Sequence, residues 1–521
     1  MRLFASCRNV HEEMGALLAM RFTRSSLPVW VAAGLLTATA NADPGTRIVP
    51  AGYEFGNYDY YAQAEAPSPS DAIPPAVPNI ANELPAEDAY QMRALPPAER
   101  VAEEENAPDR YLQTEWFEER GIATYGWLNA GIGANNWGAP WNGPITFNDR
   151  AWQGQMNQLY LVNERVLGED LNWGGRVDLL YGTDYLFTTA RGLDAYRSTP
   201  DPLGFSGPRW DSSRYYGLAM PQLYAEFGRE DLGIKFGHFY TLIGYEVVPA
   251  IGNFFYTHAY TMQYGEPFTH TGILGTWVPN DQFNIIGGVT NGWDNWDDGM
   301  QTGGPITNTA YPGYNSNASL LAAATFSSSD ESQALVFAIT SGNEVASGVG
   351  PLVADNLYAG NLTMYSIVYT NEVSDKLTYV FQNDTGWWFN GNVDGYSTIG
   401  QQEGTAQWYG INQYLFWNFT DSLIGGLRFE WFRDNNGTRV TSRLRNDIFG
   451  QDFAASGFAG NFWEMTWGLN YLWGNNLIIR PELRYDWYSP DAGAFNGTLP
   501  YGRNFDQYGQ FYGGCDAIWQ F

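Results

Sequence analysis

The residues that could carry out chemistry are few in this 521-residue chain. Beyond residue 42 there are three histidines, His238, His258 and His270, and none has the i, i+4 spacing of a helical metal site. The sequence contains no G-x-S-x-G elbow, phosphate-binding P-loop or C-x-x-C pair. We therefore expect no enzyme active site, metal site or cofactor site.

Carboxylates give two weaker candidates for chemistry. Asp294, Asp297 and Asp298 could offer oxygen ligands to calcium, but their spacing is not that of an EF-hand, and a solvated acidic loop is favoured. Glu430 and Glu464 could serve glycoside hydrolysis, although the sequence gives no separation between them. A secreted β-protein that binds or hydrolyses carbohydrate therefore stays as an alternative.

The composition excludes several classes of protein. The net charge of −29 disfavours nucleic-acid binding, which needs a basic surface. Only 16% of residues are charged, while 16% are aromatic and 59 are glycine, a composition that does not suit a disordered chain. No apolar run approaches the roughly 20 residues of a membrane-spanning helix, so any membrane crossing must use strands.

The first 42 residues have the pattern of an export signal. Arg21 and Arg24 precede the apolar stretch 27–36, and the Ala-Asn-Ala triplet at 40–42 supplies the small-x-small cleavage pattern. We therefore interpret residues 1–42 as a signal peptide and expect the chain to leave the cytoplasm.

The exported chain is expected to begin at Asp43, although Met20 would be a tidier initiator for the signal. Cys515 is the one cysteine beyond that point, so no internal disulfide can form. Residues 43–114 are rich in Pro, Ala and Glu without sustained periodicity, which predicts a disordered periplasmic segment. Its role is a linker or, alternatively, a tether to a partner.

From residue 115 to 521 apolar and polar residues alternate in long segments. In 463–473, for example, Trp467 and Leu469 alternate with Thr466 and Asn470. Segments of about 9–13 residues are longer than the strands of soluble sandwiches and match tilted bilayer-spanning strands. Sixteen strands are predicted, at 122–133, 155–166, 171–182, 219–228, 231–240, 268–278, 283–291, 317–327, 334–341, 360–370, 376–384, 404–417, 422–433, 460–473, 476–488 and 509–521.

The links between these strands alternate between short and long. Turns such as 168–170 and 474–475 interleave with longer links such as 183–218 and 241–267. Tight periplasmic turns and larger outer loops give this parity in an outer-membrane barrel of a Gram-negative-type bacterium. We predict an all-β, closed antiparallel barrel of about sixteen strands, with fourteen and eighteen as alternatives, because an open sheet edge cannot be satisfied in lipid.

The chain ends in an aromatic residue, Phe521, after alternating apolar positions. This ending is similar to the C-terminal signal that the barrel insertion machinery of bacterial outer membranes reads. We therefore expect that machinery and outer-membrane lipid as partners.

Charged residues on the polar face of the strands would line the interior of such a barrel. A barrel of this size is too wide for wall side chains to fill, which leaves an aqueous channel. The predicted pore-lining residues are Arg176, Asp178, Glu226, Lys235, Arg428, Glu430, Glu464, Arg480, Glu482, Arg484 and Asp486. Alternatively, these charges pair across neighbouring strands, hold the wall rigid and select nothing.

The link at 241–267 is unusually apolar and aromatic for an exposed loop. We expect it to fold inward and narrow the pore, with Tyr245, Glu246 and His258 at the constriction. The alternative is a loop that packs against its neighbouring outer loops.

Four short motifs in this region resemble one known family. They are Gly-His-Phe-Tyr at 237–240, Gly-Tyr-Glu at 244–246, Asn-Phe-Phe-Tyr at 253–256 and Glu-Pro-Phe-Thr-His-Thr-Gly at 266–272. Together they resemble the outer-membrane family described as beta-barrel porin-2, OmpL-like, over roughly residues 115–521. The resemblance implies an outer-membrane porin and leaves its solute open.

These patterns favour a passive channel for small hydrophilic solutes or ions, whose pore width and wall charges would set what passes. The alternatives are the secreted carbohydrate-active protein and a structural barrel that conducts nothing. A homotrimer is expected by analogy with other porins.

Overall fold

The computed structural model describes residues 110–190, 193–197, 205–208, 215–296, 318–345, 359–392, 403–440, 458–490 and 507–521. Strands are numbered β1 to β18 in chain order, and sixteen of those in this part of the chain form one closed barrel. The barrel strands are β1 (Ala123–Asn135), β2 (Gln155–Arg165), β3 (Asn172–Gly182), β6 (Gly217–Arg229), β7 (Leu232–Tyr240), β8 (Thr269–Asn280), β9 (Phe283–Thr290), β10 (Ser319–Ser327), β11 (Gln333–Val345), β12 (Ala359–Ser374), β13 (Leu377–Asn392), β14 (Glu403–Thr420), β15 (Leu423–Asp434), β16 (Gly460–Trp473), β17 (Leu477–Pro490) and β18 (Gly509–Gln520).

Each barrel strand pairs antiparallel with its neighbours along the chain, and β18 pairs with β1 to close the ring. The strands β4 (Ala195–Arg197) and β5 (Phe205–Pro208) form a separate hairpin between β3 and β6. The closed sixteen-stranded barrel predicted from the sequence is confirmed.

Helical structure is confined to short turns in the described residues. The α-helix α1 covers Glu115–Glu118, 3₁₀ turns cover Thr183–Phe187 and Ala250–Gly252, and one π turn covers Thr261–Gly265. No helix among these residues is long and apolar enough to cross a membrane.

Several strands are longer than their predicted ranges, and β13 shows one physical reason. β13 continues to Asn392, whereas the alternating pattern predicts an end at 384. Thr385, Gly386 and Trp388 are all buried, so both faces of the strand are covered there. Hydrophobic alternation therefore no longer marks the strand, although its pairing to β14 continues.

The two faces of the wall differ in exposure and polarity. On β16 and β17, Trp467 and Leu483 point outward and are 46% and 64% exposed, while Glu464 and Arg484 point inward and are fully buried. An apolar outer face and a polar inner face are the arrangement of a barrel whose outside contacts lipid.

Closure of the barrel depends on a close approach at Gly126. Its backbone exchanges hydrogen bonds with Phe521, of 2.8 and 2.9 Å. A Cβ at this position would lie 2.4 Å from the carbonyl oxygen of Tyr160 and 2.8 Å from the Phe521 ring. Only glycine therefore fits between β2 and the C-terminal residue.

We predict that Gly126→Val destabilises the barrel by about 1–3 kcal/mol through overpacking at the closing seam. The loss of the heat-sensitive gel shift of folded barrels at a lower temperature measures this effect. Gly154→Ala is the control, because a Cβ there meets nothing within 4 Å. Equal shifts for both variants would contradict the role of this seam.

Candidate functional site

The link between β7 and β8, residues 241–268, is called the inner segment below. Gln158 on β2 donates a 2.7 Å hydrogen bond to the carbonyl oxygen of Val248, and Trp408 on β14 donates one of 3.0 Å to that of Gly265. These two strands lie on different sides of the ring. Since inward-facing side chains from both sides reach it, the inner segment lies within the barrel.

Aromatic and aliphatic residues attach one side of the inner segment to the wall. The ring of Phe254 packs 4.9 Å from that of Phe416, and the ring of Tyr245 packs 4.8 Å from that of Tyr414. These residues belong to a buried apolar cluster that also contains Leu242, Ile243, Phe255, Met364, Val368 and Val380. Burying this surface stabilises the segment on the β12–β14 side of the barrel.

Charged residues on the adjoining strands β15–β17 also attach the inner segment, and Arg428 on β15 is the centre of that contact. Its Nη1 donates 2.7 Å hydrogen bonds to Glu246 and to the carbonyl oxygen of Thr257. Its Nε pairs with Glu464 on the neighbouring strand β16. One fully buried guanidinium therefore joins the inner segment to the wall.

Two further arginines on β17 bind the segment's backbone. Arg480 donates to the carbonyl oxygens of Ala250 and Asn253, at 3.0 and 2.5 Å, and pairs with Asp516. Arg484 donates a 2.6 Å hydrogen bond to the carbonyl oxygen of His258. Both guanidiniums thus satisfy backbone carbonyl groups that belong to no β-strand.

Carboxylates of the barrel wall accept hydrogen bonds from backbone N–H groups of the inner segment. Glu482 accepts hydrogen bonds of 2.9 and 3.1 Å from the backbone N–H groups of Tyr256 and Thr257. Glu430 accepts bonds of 2.5 and 2.6 Å from the N–H groups of the next pair, 260 and 261. Four backbone N–H groups of the inner segment therefore have their acceptors on the wall.

The ionised form of Glu246 is stabilised at this position. Burial alone would raise its pKa, but the Arg428 guanidinium and His258 lower the pKa to about 2. Burial lowers the pKa of His258, although the hydrogen bond to Glu246 opposes that shift. Glu246 is therefore a carboxylate at neutral pH, and its attraction for Arg428 is retained.

The remaining predicted pore-lining residues pair within the wall. Arg176 pairs with Asp178 at 2.7 Å and with Glu164 at 3.3 Å. Lys235 pairs with Glu226 at 2.8 Å on the adjacent strand. Like the other seven predicted pore-lining residues, Arg176, Asp178, Glu226 and Lys235 face inward and are no more than 6% exposed.

The pairing foreseen as the alternative role of these charges is therefore present. Arg484 and Asp486, two apart on one face, are joined at 2.8 Å. Their role in lining a pore stays a prediction, as does the constriction role of Tyr245, Glu246 and His258.

Two other links also pack inward, which the sequence analysis missed. In the link 136–154, Thr146 donates two hydrogen bonds to Gln263 of the inner segment, and Pro144 accepts one from Tyr264. In the 3₁₀ turn after β3, Asp184 accepts bonds from two side chains of β2, and burial raises its pKa to about 7. The aromatic content of 136–154 is the signal that could have revealed the first of these links.

The acidic candidates do not form separate sites. Asp294 accepts hydrogen bonds of 3.0 and 2.9 Å from the N–H groups of Phe268 and Thr269, so it holds the start of β8. Asp297 and Asp298 lie outside the described residues. Glu430 and Glu464 are register partners on β15 and β16, and both are fully buried under the inner segment.

The barrel's apolar outer face, charged inner face and inward-folded link define a membrane-spanning β-barrel channel protein. The chain belongs to the family described as "Putative beta-barrel porin-2, OmpL-like", which matches residues 121–521. It is therefore a porin of the outer membrane. No curated protein matches the chain.

Several solved outer-membrane barrels are similar in fold. The outer membrane channel DcaP of Acinetobacter baumannii is 12% identical, with a TM-score of 0.46, over 77% of this chain and 97% of that one. An anion-selective porin from Comamonas acidovorans is 8% identical, with a TM-score of 0.48, over 77% and 99%. OprB of Pseudomonas putida is 12% identical, with a TM-score of 0.45, over 80% and 99%. The family match, rather than this distant likeness, carries the assignment.

Proposed function

We propose that this porin is a passive diffusion channel for small hydrophilic solutes or ions, narrowed by the inner segment. The observation that supports the proposal is the attachment of that segment along the wall, by apolar packing on β12–β14 and by charged hydrogen bonds on the adjoining strands β15–β17. A segment fixed inside the barrel in this way narrows the lumen. Passage then depends on pore width and on the charges nearest the path.

The proposal includes no enzymatic activity. It also places residues 43–114 in the periplasm, assigns Phe521 to recognition by the insertion machinery, and expects the chain to associate with copies of itself as a homotrimer. Short turns on the periplasmic side and longer links outside support this orientation.

A structural barrel that conducts nothing is the second candidate. One observation favours it: the inward charges are paired and covered rather than open to water. The two candidates predict different electrical behaviour of the same folded protein.

We expect the mature chain, reconstituted into a planar bilayer, to give stepwise openings with an ohmic current. Folding is verified beforehand by the heat-sensitive gel shift. A folded protein that gives no steps would contradict the channel proposal and favour the structural barrel.

A further inference from the structure

The outer face of β13 and β14 carries two amide side chains where the bilayer is most apolar. Asn383 lies midway between the outward-facing Tyr379 and Trp387 on β13. Gln413 lies midway between Tyr409 and Trp417 on β14. Aromatic residues near both ends of a spanning strand mark the two interfaces of the membrane, so the amides lie near its middle.

The two amides are neighbours on the same face. In the register of β13 and β14, Asn383 pairs with Ile411, and Gln413 pairs with Phe381. They are therefore diagonal neighbours, and both are half-buried. On the other described strands the corresponding outward positions are apolar, for example Trp467 on β16.

Each amide side chain makes one hydrogen bond within its own barrel. Asn383 donates from Nδ2 to the carbonyl oxygen of Gly410 at 3.0 Å, and Gln413 accepts at Oε1 from the Tyr379 hydroxyl at 3.2 Å. Among the described residues, no hydrogen bond reaches Asn383 Oδ1 or Gln413 Nε2. One acceptor and one donor therefore face outward without a hydrogen-bond partner. Lipid tails cannot supply one, because they contain neither donors nor acceptors.

We infer that a second copy of this chain docks on the outer face of β13 and β14, so that Gln413 of each copy donates to Asn383 of a neighbouring copy. The inference rests on the self-association included in the proposed function and assigns its contact surface. A partner that binds these amides must reach the middle of the membrane, so it must itself span the membrane. One donor and one acceptor per copy are complementary to each other, so the same pair of atoms closes a ring of identical subunits.

The surrounding side chains suit a protein contact. Tyr365 on β12 packs 6.1 Å from Phe337 and 5.8 Å from Trp387, in a continuous aromatic surface beside the amides. Tyrosine and tryptophan are the residues that contribute most at protein interfaces. This surface therefore provides packing around the central hydrogen bonds.

Native mass spectrometry of the detergent-solubilised protein tests the inference. We expect wild type to be an oligomer, and the double variant Asn383→Leu/Gln413→Leu to show a dissociation constant raised about tenfold or more, because each contact loses interfacial hydrogen bonds. The double variant should keep its gel shift, since leucine suits a lipid-facing position. Gln333→Leu, which removes an outward amide near a periplasmic turn, should leave the oligomer unchanged.

Oxidative crosslinking gives a second readout that does not depend on affinity. In a background without Cys515, Gln413→Cys should give crosslinked species of two chains, whereas Leu469→Cys on β16 should not. A monomeric wild type, an unchanged oligomer in the double variant, or crosslinking at 469 but not at 413 would overturn the assigned surface. None of these results depends on conductance. Failure of the channel proposal would instead appear in the planar-bilayer recordings, so the two outcomes can be distinguished.

Discussion

Arg428→Ala should lower the free energy of unfolding by about 3–5 kcal/mol and increase the single-channel conductance, because a buried ion pair loses one partner. Glu246 and Glu464 would remain buried without the guanidinium that joins them. The carbonyl of Thr257 would lose its donor as well. Urea unfolding in lipid vesicles measures the first effect, and planar-bilayer recording measures the second.

Arg229→Ala is the matched control for this prediction. Arg229 pairs with Asp231 at the exposed short turn between β6 and β7, where a salt bridge contributes about 0–1 kcal/mol. The conductance of the Arg229→Ala variant should equal that of wild type. An Arg428→Ala protein with unchanged stability and conductance would show that the inner segment is held by other contacts and does not restrict the pore.

Leu483→Arg should lower the stability of the inserted barrel by about 2–4 kcal/mol, because a guanidinium replaces a lipid-facing side chain between the two interfaces. Leu483 is 64% exposed on the outer face of β17. Its register partners on that face, Trp467 on β16 and Gly513 on β18, are also apolar. Urea titration of the folded barrel in vesicles gives the difference in free energy.

Ser489→Arg tests whether depth rather than charge causes this loss. Ser489 also faces away from the barrel interior on β17, but next to the strand's C-terminal end, where a cation costs about 0–1 kcal/mol. If both variants lost the same stability, residue 483 would not lie at the centre of the bilayer.

The strands could be predicted because each is long and contacts two different solvents. On β16 the alternation of Trp467 and Leu469 with Thr466 and Asn470 gives both the strand and its orientation. Hydrophobic period-two patterning is a local signal, so it needs no knowledge of the partner strands. It fails locally at Thr385 and Gly386, where the packing around β13 buries both faces.

The interior could be predicted only in part. The apolar composition of 241–267 indicated inward packing, because exposed loops rarely contain so many apolar and aromatic residues. The partners of Arg428, Arg480 and Arg484 could not be predicted, since their bonds go to backbone groups about 170–230 residues away in the chain. A backbone carbonyl has the same chemistry at every position, so sequence gives no sign of which one is bound.

Alternate residues of each barrel strand face lipid and the barrel interior. Site-directed spin labelling along β10 in lipid vesicles tests this alternation most directly, because this strand carries small or neutral side chains on both faces. The structure predicts high accessibility to dissolved oxygen at 320, 322, 324 and 326 and low accessibility at 321, 323 and 325. Oxygen accessibility that is uniform along the strand, or highest at 321 and 323, would contradict it.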